Sequence, residues 1–90
     1  MEEKLIEQIQ KVLTEWNPLD GRSQSVQDLD NYKTEAIDII SNLEMEDKIT
    51  ASTVQVITRE VLNEAFNLDL TKQDCKDASL QIYKVVKGSI

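Results

Sequence analysis

Three features of this 90-residue chain predict an all-α domain of four amphipathic helices, arranged as a small bundle or an irregular array. Apolar residues recur at three- and four-residue steps in four separate stretches, the period of one buried helical face. The stretches are separated by turn-forming or strongly charged segments. Only two glycines and one proline are present, against 40% hydrophobic residues, which argues against both a many-turned β-fold and a disordered linker. A chain of this length supports one core, so residues 1–90 are expected to form a single domain.

The first helix is expected over 3–16, where Leu5, Ile6, Ile9, Val12, Leu13 and Trp16 fall on one stripe. It must stop near Trp16, because Asn17 precedes Pro18 and the proline ring drives the preceding residue out of the right-handed helical region. Residues 17–27 read as a loop, with Asn17-Pro18, Asp20-Gly21, Ser23 and Ser25 as turn chemistry. That connection is long for a bundle, and is expected to cross from one end to the other or to lie along its side.

The second helix is expected over 29–46, capped by Asp28 or Asp30, with Leu29, Tyr32, Ala36, Ile39, Ile40 and Leu43 inward. The charged run from Glu44 to Lys48 ends it. In the third stretch, 51–66, the β-branched residues Thr53, Val54, Val56, Ile57 and Thr58 would also suit a strand. Helix prevails, since Val54, Ile57, Val61, Leu62, Ala65 and Phe66 hold the helical period for longer than an ordinary strand and no second strand is available to pair. The fourth helix, 72–87, carries the clearest start signal. Thr71 is a cap, Asp74 stands at the third helical position, and Leu70 is placed to staple onto Cys75. Cys75, Ala78, Ile82 and Val85 or Val86 continue the stripe, Lys84 and Lys87 suit the negative end of the dipole, and Gly88 is the expected stop.

The chemistry available is restricted. With no histidine and one cysteine, the chain has no histidine-dependent triad, no histidine-ligated metal, no internal disulfide and no paired-cysteine zinc site. Cys75 reads as a small buried hydrophobe, since Asp74 beside it would raise the thiol pKa. Seventeen acidic against ten basic side chains give a net charge of −7, which disfavours nucleic acid and an anionic membrane surface as partners. No apolar run approaches the roughly 20 residues of a membrane span. Met1-Glu2-Glu3-Lys4 lacks the features of a secretion signal, so a cytoplasmic location is expected.

Charge is concentrated in the second helix and its exit. Residues 28–47 carry seven acidic side chains (Asp28, Asp30, Glu35, Asp38, Glu44, Glu46 and Asp47) and one basic, Lys33. Such an acidic patch either keeps the protein solvated or steers a basic partner by long-range attraction. Glu35 and Asp38 lie three residues apart and would share a helical face, a spacing that suits divided acid and base roles or a hard cation. A calcium loop starting at Asp28-x-Asp30 is ruled out, because Tyr32 occupies the third ligand position, the turn glycine is missing and Ile39 stands at position twelve. An acyl carrier would need a serine at the head of the second helix, where this chain has Gln27-Asp28-Leu29-Asp30. Trp16 is either a lid on the core or an anchor for another protein.

Trp16-Asn17-Pro18-Leu19 after an amphipathic helix, then Tyr32-x-x-Glu35-Ala36-x-Asp38-Ile39, and Leu70 with Cys75-x-x-Ala78 in the last helix, resemble the YugE-type family of small helical proteins from Bacillus and related Firmicutes. The resemblance implies an all-helical cytoplasmic bacterial domain and no activity. Trp16, Pro18, Tyr32, Glu35 and Asp38 are the positions that match, and one physical account has Glu35 or Asp38 accepting a hydrogen bond that pins the Trp16–Pro18 corner. The function expected from all of this is a non-catalytic interaction or regulatory module, with no cofactor, its surfaces the acidic second helix and the loop after Trp16. The alternatives are an immunity or antitoxin-like inhibitor of a basic partner, and a carboxylate metal-binding protein or enzyme using Glu35 and Asp38. Four short helices that leave an apolar strip uncovered would also favour a two-fold homodimer.

Overall fold

The computed structural model describes residues 3–19 and 32–89, and these form four helices: α1 (Glu3–Trp16), α2 (Lys33–Glu44), α3 (Ala51–Phe66) and α4 (Lys72–Ser89). Each helix packs on its neighbours in sequence and α4 closes back on α1, so the four make a ring around one core; the backbones of α1 and α3, and of α2 and α4, do not approach closely. The core is built from Ile9 and Leu13 of α1, Ala36 and Ile39 of α2, Val54 and Leu62 of α3, and Ala78 and Ile82 of α4, all essentially sealed from solvent. Fully burying a valine, leucine or isoleucine of this core stabilises the fold by about 1.5–3 kcal/mol.

Each helix ends for a local reason. Asn17 (φ 50°) and Asn67 (φ 53°) take the left-handed conformation that closes α1 and α3. Their backbone amides donate to Leu13 at 2.7 Å and to Asn63, respectively. Thr50 caps α3 by accepting from the Thr53 amide at 3.1 Å, so the β-branched run begins with a residue type that caps helices well. Thr71 and Asp74 form a reciprocal capping box on α4. The Thr71 amide donates to Asp74 at 2.9 Å, and Thr71 Oγ1 accepts from the Asp74 amide at 3.2 Å. Donation from the Thr71 amide first, and from its side chain second, holds the exposed Asp74 carboxyl below its usual pKa.

Several expectations are corrected. The second helix starts at Lys33, not 29, because Tyr32 stands before it with φ 63° and ψ 28° and no regular helix runs through a left-handed residue. Tyr32, at the cap position, makes no side-chain capping hydrogen bond, and Asp28, Asp30, Leu29 and the loop residues 20–27 lie outside the described residues. The helix closes at Glu44, not 46, through short backbone bonds from Met45 to Asn42 (3.2 Å) and Glu46 to Leu43 (3.1 Å). In α3, Ala65 is exposed and Thr58 is buried in its stead, since the face centred on Val54 and Leu62 runs at four-residue steps through Thr58. Gly88 does not stop α4, which continues to Ser89 with no positive φ at the glycine.

One clamp has no counterpart in the sequence reading. Asn63 donates through Nδ2 to the Leu70 carbonyl at 3.1 Å and accepts through Oδ1 from the Leu70 amide at 2.8 Å, fixing the α3–α4 connection to α3. Both bonds are partly buried, and each such bond contributes about 0.5–1.5 kcal/mol. Asn63→Ala is therefore expected to lower stability by about 1–3 kcal/mol in urea denaturation followed by circular dichroism.

Candidate functional site

Of the five residues singled out by motif, the structure joins three at one corner. Pro18 follows the left-handed Asn17 that ends α1, and Leu19 turns inward to 2% exposure. Tyr32, itself 2% exposed, reaches back to this corner: its hydroxyl donates to Asn17 Oδ1 at 2.8 Å and accepts from the Leu19 amide at 3.4 Å. On its other side the Tyr32 ring meets Phe66 edge-on, with centroids 6.0 Å apart and planes at 88°. The residue that pins the corner is thus Tyr32, where the sequence suggested Glu35 or Asp38. Trp16 is half-buried and packs on the core from the last turn of α1. Its ring is a lid with an open side.

Glu35 and Asp38 are separated by burial. Three residues along a helix turn the direction by about 60° from the starting position, and that is enough here to place Glu35 inside the rim of the core and Asp38 in solvent. Glu35 is 7% exposed, and its Oε1 is buried without a hydrogen-bond partner. Burial, opposed by a backbone hydrogen bond and reinforced by the negative charge of Asp38, raises its pKa from the ordinary glutamate value. Tyr32 is likewise shifted upward, by burial first and by Glu35 in part. The two carboxylates do not present a common face to a substrate or a cation. Among the described residues, no group of three or more histidine, cysteine, aspartate or glutamate side chains is placed to hold a metal. Cys75 is fully buried; desolvation and the adjacent Asp74, against a smaller effect of Arg59, push its thiol up to about 11, which keeps it protonated and unreactive near neutrality.

The exit of α2 is a different environment. Glu44, Met45, Glu46 and Asp47 are all exposed, and Met45 has 80% of its surface in water, the most of any large hydrophobic residue described. Met45 and Glu46 stand at one edge of a groove of about 400 Å³ between α2 and α3, whose α3 wall includes Thr53, Val56, Ile57 and Glu60. Val56 and Ile57 are half-buried there, giving the groove an apolar floor under an acidic rim. Lys48 is the one cation in the adjoining turn. Sequence reasoning located the charge of this patch and missed the methionine within it; a hydrophobic residue isolated in a run of carboxylates was the available signal. No described helix is long and apolar enough to cross a membrane. Comparison of the chain with protein-family models, with curated proteins and with solved structures gave no match, so the reading of this surface rests on its own chemistry.

Proposed function

We propose that the protein is a non-catalytic interaction module that engages a basic partner protein at the corner where α2 runs into α3. The observation that carries this reading is Met45, held in water at 80% exposure between Glu44 and Glu46 at the mouth of a groove. An exposed methionine adapts its shape to an apolar surface, and surrounding carboxylates set the sign of the partner and speed its approach. A basic segment bearing one apolar anchor satisfies both: the anchor covers Val56 and Ile57 beside Met45, and the cations face Glu46 and Glu60. An immunity or antitoxin-like inhibitor that masks a basic protein would use the same surface, and the identity of the partner distinguishes it. Burial of Glu35 away from Asp38 gives the carboxylate metal or enzyme reading no comparable support.

The test uses the wild-type protein and two variants, Met45→Ala and the pair Glu46→Gln with Glu60→Gln. These side chains are exposed, so each change should leave stability within about 0.5 kcal/mol. A partner bound at low salt and released at high salt is expected to be lost at least tenfold from both variants in quantitative affinity capture. Equal recovery by wild type and variants would overturn the reading.

A further inference from the structure

The ring of helices has a second seam, between α1 and α4, which lies opposite the α2–α3 groove because the backbones of α1 and α4 each approach only one helix of that other pair closely. A groove of about 240 Å³ runs along it. From α1 it is lined by Val12, Glu15 and Trp16, and from α4 by Asp74, Asp77 and Ala78, with Gln81 at its edge. These positions follow three- and four-residue steps on each helix, so each set forms one continuous face. Val12 and Ala78 are buried in the floor, Trp16 is half-open, and Glu15, Asp74 and Asp77 are exposed. No lysine or arginine lines the groove.

We infer that the α1–α4 groove is a docking slot for an arginine side chain of a partner polypeptide, held against Trp16 and between the carboxylates of Glu15 and Asp77. This seam is distinct from the surface of the proposed function and does not depend on it. Three features converge on that occupant. The slot has an aromatic wall, and a cation near an indole is attracted by its quadrupole. The carboxylates stand on both helices, which suits the planar fork of a guanidinium better than the point charge of an ammonium. The apolar floor of Val12 and Ala78 accommodates the methylene stem that an arginine carries behind its charge. Asp74 is committed to the α4 cap and supplies field, not a ligand oxygen of its own choosing.

Trp16 is the chain's only tryptophan, so its emission reports on this slot alone. The probe is the peptide acetyl-Gly-Arg-Arg-Gly-amide, titrated at low salt beside the same peptide with citrulline, and with lysine, in place of arginine. The arginine peptide is expected to give a saturable change in Trp16 fluorescence and the citrulline peptide none. The pair Glu15→Gln with Asp77→Asn should weaken the response at least tenfold with an unchanged circular dichroism spectrum. The pair Glu46→Gln with Glu60→Gln removes the same net charge at the opposite seam and should bind as wild type does. The absence of saturation, an equal response to the lysine peptide, or equal weakening by both pairs of substitutions would each overturn the assignment. Success or failure here is independent of the Met45 variants, which do not touch this groove.

Discussion

Tyr32→Phe is expected to destabilise the protein by about 1–3 kcal/mol, and Tyr32→Ala by about 3–5 kcal/mol, although Tyr32 lies outside the regular part of α2. The phenylalanine variant keeps the ring and its edge-on contact with Phe66 but removes one oxygen. That oxygen links two segments: it donates to Asn17 and accepts from the buried Leu19 amide. Without it the Leu19 amide loses its partner in a place water does not reach, and the cost of such a group sets the lower figure. The alanine variant adds the loss of a side chain that is 2% exposed. For a domain of this size each kcal/mol moves the melting temperature by about 4–8 °C. Thermal unfolding followed by circular dichroism measures both, and native-state Trp16 emission should shift to longer wavelength in Tyr32→Phe, because the corner that follows Trp16 has lost its tie. Tyr83→Phe is the control. The Tyr83 ring is half-buried under Lys87 at 5.8 Å, and its hydroxyl makes no hydrogen bond among the described residues, so its removal should stay within about 0.5 kcal/mol of wild type. If Tyr32→Phe behaves like that control, the hydroxyl does not hold the corner.

The backbone of Tyr32 sharpens the point. A left-handed conformation at a residue with a bulky side chain costs about 1–3 kcal/mol and persists only where the surroundings enforce it. Here they do, through the Phe66 contact on one side and the two bonds to the Asn17–Leu19 corner on the other. This explains why the start of α2 was not legible in the sequence. Local preference allows Asp28 and Asp30 to cap a helix running through Tyr32, and the competing contacts come from residues 13 to 15 positions upstream and from another helix. The helical faces were legible, because periodicity reports which way a side chain points regardless of what it meets. So were the Thr71–Asp74 cap and the burial of Cys75, which depend on neighbours in sequence. The two grooves were not. The α1–α4 slot brings Glu15 and Trp16 against Asp74 and Asp77, about sixty residues away along the chain, and no local pattern connects them. A charged residue at the rim of an apolar stripe, such as Glu35, reads as solvated until the packing of neighbouring elements decides otherwise.

Glu35→Gln is expected to raise stability at neutral pH, an uncommon direction for a substitution at a buried site. The wild-type carboxylate is 7% exposed, has one oxygen buried without a partner and stands near the negative charge of Asp38. Folding therefore disfavours its ionised form, and the folded-state pKa lies above that of the unfolded chain, about 4.3. Below that value both states are protonated and the group costs nothing through charge. As pH rises through it, the unfolded chain ionises freely while the folded protein retains its proton, so the folded state binds more protons and stability falls. The loss grows until pH passes the folded-state value and is constant above it. An unsatisfied buried polar group costs about 1–3 kcal/mol, and more when charged, so a gain of about 1 kcal/mol or more is expected for the neutral amide, with Glu35→Met gaining further by removing the polar atoms altogether. Asp74 works in the opposite sense. Its folded-state pKa is depressed, so it contributes stability above its unfolded value that is lost as pH falls through the folded one. The pH profile of the wild type alone mixes the two. The difference between wild type and Glu35→Gln isolates one: it should be largest at pH 7 and shrink steadily toward pH 4, whereas a constant difference across that range would mean that the carboxylate is not buried as a charge.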